Sequence, residues 1–150
     1  MNPIPINVAV EDLLSESVSN RLIRESGGKF SMGTTFGRSG YGYLRKTIRG
    51  WNAAARSRPI FVLTDLDDEE CPASLTAAWL GCAPHPNLLF RVAVREVEAW
   101  LLADREALAS FLSVPKRFLR SAPAGHAESF ADPKATLIEL CRHSSSREIK

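Results

Sequence analysis

The run Pro59-Ile60-Phe61-Val62-Leu63-Thr64 passes straight into Asp65-Leu66-Asp67-Asp68-Glu69-Glu70. A segment this short, and apolar at odd and even positions alike, predicts a strand covered on both faces. That is the character of a central strand in a parallel sheet sandwiched between helices. The abrupt change to carboxylates marks where the strand leaves the core. In open parallel sheets the strand-to-helix turns collect at the carboxyl edge, where ligands bind. One segment therefore points to both a fold class and a place to look for chemistry.

The rest of the chain fits the same architecture. Ile6-Asn7-Val8-Ala9-Val10 reads as a first strand, and Leu14, Val18 and Leu22 recur as an amphipathic stripe on a following helix that Ser26-Gly27-Gly28 ends. A short strand is expected from Phe30 to Phe36. Gly37 to Gly42 then forms a glycine-rich loop, and a helix runs from Tyr43 to Arg56 with Leu44, Ile48 and Trp51 inward. Gly50 weakens that helix by about 1 kcal/mol relative to alanine. Pro72 suits the first turn of a helix ended by Gly81. Leu88 to Val94 is a fourth strand, followed by a helix over about Arg95 to Ala103 whose core stripe is Val97, Trp100 and Leu101. Asp104 caps another helix through Leu112, Pro115 to Gly125 is a basic loop or broken helix, and Asp132-Pro133 opens a last helix to about Arg142. Strands alternating with helices predict a doubly wound, mainly parallel sheet of about four strands with helices on both faces.

A chain of 150 residues suits one domain, expected over residues 1–143, with 144–150 a disordered or truncated tail. The net charge of +2 is too small to mark a nucleic-acid binder, so any basic surface must be local. Cys71, Cys82 and Cys141 lack zinc spacing and are odd in number, which predicts a reducing, cytoplasmic setting. Cys82 and Cys141 read as core or near-core residues. The first residues do not resemble a signal peptide, and no apolar stretch is long enough to span a membrane.

Glu11 ends the first strand, Asp65 and Asp67 end the central one, and Glu96 and Glu98 begin the helix after the last. The fold should gather these carboxylates near one edge. Side chains two apart at a strand end point the same way, so Asp65 and Asp67 can face one ion. Oxygen donors suit Mg²⁺ (or Mn²⁺), which keeps several waters and works with phosphate substrates. Glu11 would add a third carboxylate or act as a general base. Glu96 and Glu98 diverge by about 200° on a helix, so at most one can join them, and Glu96 is the nearer to the strand end. Asp68, Glu69 and Glu70 read as solvated surface. Capping and solvation are the ordinary roles of such acids, and they stand beside the metal reading.

The order Val10-Glu11, then Asp65-x-Asp67, resembles the Toprim fold of topoisomerases, primases and OLD-type nucleases. The wider wording is similar to the DUF4276 family, which is related to Toprim. The matching pieces are Val10-Glu11-Asp12 with Ser15-Glu16, Val62 to Asp67, Cys71-Pro72, and Arg95-Glu96-Val97-Glu98-Ala99-Trp100-Leu101-Leu102-Ala103-Asp104. The resemblance implies that Glu11 serves acid–base chemistry and that Asp65 and Asp67 bind Mg²⁺. Extra acids in OLD-type nucleases imply a place for Glu96 in a second metal site. Toprim proteins usually carry glycine after the glutamate; Asp12 stands there, where a side chain would crowd the site or add a ligand.

Gly37-Arg38-Ser39-Gly40-Tyr41-Gly42 precedes a helix bearing Arg45, Lys46, Arg49 and Arg56. Glycines let backbone amides approach phosphate, and Tyr41 or Tyr43 can stack on a base. A flexible turn before a solvated basic face is the alternative. Lys116-Arg117 with Arg120 makes a second basic patch. A Cys71 thiol beside the acidic loop should have its pKa raised. The expected function is a Mg²⁺-dependent phosphoryl-transfer enzyme on DNA or RNA, a nuclease, with Arg38, Arg45 and Lys46 steadying phosphates. The resemblance implies a role in bacterial defence. A non-catalytic Toprim-like module binding nucleic acid, nucleotide or protein is the second expectation, and a homodimeric structural subunit the third.

Overall fold

The computed structural model describes residues 2–119 and 126–149. The chain divides into two compact units, Met1–Ala93 and Val94–Lys150. No helix among the described residues is long and apolar enough to cross a membrane.

The first unit alternates strand and helix throughout: β1 (Ile4–Val10), α1 (Leu13–Arg24), β2 (Phe30–Gly37), α2 (Tyr41–Ala54), β3 (Ile60–Asp65), α3 (Pro72–Leu80) and β4 (Leu88–Ala93). The four strands form one sheet in the order β2-β1-β3-β4, and every pairing is parallel. The first crossover runs one way along the sheet and the next two run the other. Right-handed crossovers then put α1 on one face and α2 and α3 on the opposite one. Val8, Ala9 and Val10 of β1 and Val62, Leu63 and Thr64 of β3 are fully buried in consecutive positions, as strands covered on both faces require. The sequence-predicted α/β class, strand number and covered faces are all present.

Local chemistry explains the boundaries. Asp12 caps α1, its Oδ1 accepting the Ser15 amide at 2.8 Å. Pro72 stands in the first turn of α3, and Gly81 ends that helix at φ 65, its amide donating to Ala77 at 2.9 Å. The loop between β2 and α2 is shorter than expected, because α2 already begins at Tyr41.

The face of α1 differs from expectation. Ser15, Ser19 and Ile23 are buried, whereas Leu14 and Val18 are half-buried and Leu22 is 46% exposed. Small residues let the helix lie close to the sheet. The Ser19 hydroxyl remains satisfied by donating to the Ser15 carbonyl at 2.6 Å. In α2, Leu44 and Ile48 are fully buried, and Trp51 is half-buried against Phe36 with ring centroids 4.7 Å apart.

The second unit is helical: α4 (Val97–Ala103), α5 (Arg105–Leu112) and α6 (Pro133–Arg142), with short 3-10 turns at Lys116–Phe118 and Ala127–Ser129. Asp104 caps α5 through the Ala107 amide, and Asp132 caps α6 through Ala135. The core gathers Leu102, Leu108, Leu112, Leu119, Phe130 and Leu140. Helix α4 starts two residues later than the sequence suggested, and its inner face also differs from the expected stripe. Val97, Glu98, Ala99 and Leu102 are buried; Leu101 is half-buried and Trp100 is exposed. Cys82 is exposed rather than near-core, while Cys141 packs against the second unit's core. At the start of the expected tail, the buried Ser144 donates its hydroxyl to the Leu112 carbonyl at 2.5 Å. Of the basic loop, residues 120–125 lie outside the described residues, and Arg120 with them.

Candidate functional site at the carboxyl edge of the sheet

Strands β1 and β3 are neighbours, and Val10 pairs with Leu63. The next residues along are therefore Glu11 and Thr64. Glu11 turns sideways across the strand end. Its Oε1 accepts the Thr64 hydroxyl and also the Asp65 amide, the latter at 3.0 Å. Thr64 is fully buried, the one hydroxyl at the end of an otherwise apolar strand, and Glu11 is its partner. Sequence reasoning did not single it out. The signal was its need for a hydrogen-bond partner at a position buried on both faces.

Burial pushes the Glu11 pKa above the ordinary glutamate value. The Thr64 and Asp65 hydrogen bonds pull it back in part, while the charges of Asp67 and Asp12 push it further up. Glu11 and Asp67 are thus electrostatic neighbours. Asp65 closes β3 and is half-buried, and Asp67 is exposed.

Asp67 reaches its place by a different route from the one expected. The strand stops at Asp65, and Asp67 lies in a turn at φ 49 closed by the Glu69 amide on the Leu66 carbonyl at 3.0 Å. Strand alternation does not govern its direction; the turn does. Leu66 anchors that turn, buried and bonded through its amide to Ala93 at 2.9 Å. Asp68, Glu69 and Glu70 are exposed, as expected. Asp67, Asp68 and Glu69 line an opening of about 330 Å³ with Tyr41. The Tyr41 hydroxyl donates to Glu69 at 3.2 Å, and burial raises its pKa.

Asp12 is turned to its own helix, with Oδ1 capping α1. Its charge still acts on Glu11. Glu96 and Glu98 belong to the second unit. Glu96 stands at the start of α4 and accepts the Lys134 amide at 3.3 Å. Glu98 is the more buried of the two, with Lys134 Nζ at 3.8 Å. The Cys71 pKa is lowered, contrary to expectation, because the Ser74 hydroxyl and amide both hydrogen-bond its sulfur at the start of α3.

The glycine-rich loop wraps the end of β1. Gly37 has φ 101, and a Cβ there would sit 2.1 Å from the Val10 carbonyl oxygen, so only glycine fits. The amides of Arg38 and Gly40 are taken by the carbonyls of Val10 and Glu11, at 2.9 and 3.1 Å. These amides serve the fold rather than an incoming phosphate. Arg38 grips Glu16 with two nitrogens, Nε at 2.6 Å and a terminal nitrogen at 2.8 Å. Arg45 and Lys46 are exposed. Of the second basic patch, Lys116 pairs with Glu106 at 2.6 Å, and Arg117 lies over the Phe118 ring at 4.9 Å.

The carboxylates can be set against what a Mg²⁺ ion needs. Among the described residues no three His, Cys, Asp or Glu side chains form a group that could hold a metal. Mg²⁺ requires less protein than that, since it keeps waters and takes one or two carboxylates together with substrate phosphate. Burial is the main cause of the raised Glu11 pKa, and the smaller contribution from the charges of Asp67 and Asp12 is the part that a cation would relieve. The described carboxylates do not form a closed cage. No family model, no curated protein and no solved structure matches the chain.

Proposed function

We propose that the chain is a Mg²⁺- or Mn²⁺-dependent phosphoryl-transfer enzyme on nucleic acid, a nuclease of Toprim type. The observation that carries the reading is Glu11. It is a partly desolvated carboxylate at the carboxyl edge of two central strands, fixed by Thr64 and Asp65, with its proton affinity raised by burial and by Asp67 and Asp12. A carboxylate so tuned is suited to taking and returning a proton closer to neutral pH. Asp65 and Asp67 would hold the ion. When bound, the ion would polarise the phosphate and activate water. Arg45 and Lys46 are available to phosphate oxygens, and Arg38 becomes so on leaving Glu16. The resemblance to Toprim proteins and DUF4276 supports the same assignment, including a role in bacterial defence, and the odd, unspaced cysteines support a cytoplasmic setting.

A second reading is a non-catalytic Toprim-like module. It is favoured by the lack of a three-ligand group among the described residues and by Asp12, which caps a helix where Toprim proteins usually have glycine.

Mg²⁺ and Mn²⁺ titrations, read as thermal protection and as cleavage of single- and double-stranded DNA and RNA, separate the two. The enzyme reading expects both effects in the wild type and neither in Asp65→Asn or Asp67→Asn. Cleavage that survives in the Asp65→Asn/Asp67→Asn double variant would reject the site, and nucleic-acid binding without turnover would favour the module.

A further inference from the structure

One face of α2 touches the sheet only at its edge, where Trp51 meets Phe36 of β2. Tyr43, Lys46, Thr47, Gly50, Trp51 and Ala54 follow the i, i+3, i+4 spacing of a single helix face and line an open groove of about 350 Å³. Gly50 forms its floor. A Cβ built there meets nothing within 4 Å, so no neighbour in the fold requires glycine at this mid-helix position. The walls are aromatic and held in place. The Trp51 indole donates to Thr47 at 3.0 Å and leans on Phe36, and Thr47 is itself bonded to the Tyr43 carbonyl at 2.8 Å.

Helix α2 contains no Asp or Glu, and Lys46, the charged residue in the groove's lining, forms no ion pair among the described residues. A shallow aromatic groove with an unpaired cation on its wall suits an anion that carries flat rings. We infer that this groove binds single-stranded nucleic acid, with an unpaired base lodged over Gly50 between Tyr43 and Trp51 and its phosphates met by Lys46. This rests on the proposed function and names its substrate class.

The geometry links the two places. Helix α2 begins with Tyr41, which borders the Asp67 opening, and Tyr43 to Trp51 spans roughly 12 Å along the axis. A strand held in the groove would lead toward the acidic edge. Duplex bases have no free face to offer, so the groove selects unpaired ones. A second copy of this chain is the poorer occupant, because a two-fold contact through α2 would bring its cations against themselves.

The test is fluorescence anisotropy of a labelled oligothymidylate and of a duplex of equal length, on the full chain, in EDTA, across a salt series. Wild type should prefer the single strand, with affinity falling as salt rises. Gly50→Leu fills the groove from a position with open space around it. It should weaken single-strand binding by about tenfold or more, the scale of one lost stack, while its thermal melt stays at or above that of wild type. Trp51→Ala should weaken binding similarly.

Three results would overturn the inference: no single-strand binding, Gly50→Leu binding as well as wild type, or Gly50→Leu turning a dimer into a monomer. Because binding is read without metal or turnover, its failure is separable from that of the enzyme reading. Cleavage blocked by Asp67→Asn beside normal Gly50→Leu binding would sink only the groove. Groove-dependent binding with no cleavage in any metal would sink only the enzyme.

Discussion

Thr64 donates its hydroxyl to Glu11 across the end of two parallel strands, one residue beyond the point where Val10 and Leu63 pair. A fully buried threonine and a half-buried glutamate satisfy one another there. Thr64→Val keeps the shape and removes the donor. It should cost about 1.5–3 kcal/mol in denaturant unfolding, the range for one hydrogen bond to a charged group. Because that bond lowers the Glu11 pKa, the variant's Glu11 should titrate still higher, measurable by side-chain carboxyl NMR. An unchanged or lower Glu11 titration would contradict the geometry.

Glu11→Gln gives a signed pH dependence. The folded chain holds the Glu11 proton more tightly than the unfolded one, whose ordinary value is 4.5. Between 4.5 and the raised folded value, the folded state binds more protons. Stability from this group is therefore fully present below 4.5 and is lost as pH rises through the folded pKa. Glutamine still accepts from Thr64 and Asp65 but cannot ionise. Urea unfolding across a pH series should show the variant without that decline, and at pH 7 at least as stable as wild type, even where activity is gone.

Gly37→Ala should be among the most destabilising single changes in the first unit. The residue has φ 101 and an added Cβ would press on the Val10 carbonyl at 2.1 Å. Backbone strain alone costs about 1–3 kcal/mol at such a position. A melting temperature within error of wild type would show that the loop can move away.

Glu16 restrains Arg38 through both carboxylate oxygens. Glu16→Gln should therefore release a cation beside the acidic edge. Since exposed pairs are worth up to about 1 kcal/mol, oligonucleotide affinity should rise by up to about fivefold at low salt, with little change in stability. A fall in affinity would mean that Arg38 works while held by Glu16.

Much of this was readable from residue order. Pro72, Gly81, Asp104 and Asp132 mark helix ends by chemistry that acts within a turn, and they stand where the structure puts those ends. The apolar strands were equally plain, because burial on two faces leaves no room for polar residues. Other features depended on distance across the fold. Leucine spacing pointed α1 the wrong way, since Ser15 and Ser19 outcompete Leu22 where a helix must sit close to a sheet. Trp100 faces outward because α4 turns Glu98, Ala99 and Leu102 inward beside Val97, a choice of face made by packing and not by residue spacing. Asp67 owes its position to a left-handed turn residue that no alternation rule describes. The place of Thr64 beside Glu11 required the register of β1 on β3, which is a relation between segments far apart in sequence.

Adjacent residues Glu11 and Asp12 divide their labour, one reaching to β3 and the other holding the first turn of α1. The Glu11 carboxylate cannot be moved by shifting this stretch of chain without loosening a helix, nor can the helix be re-capped without altering the charge felt by its neighbour. The setting of one carboxylate and the start of one helix are therefore tied to a single dipeptide, and a change at either residue is felt by both.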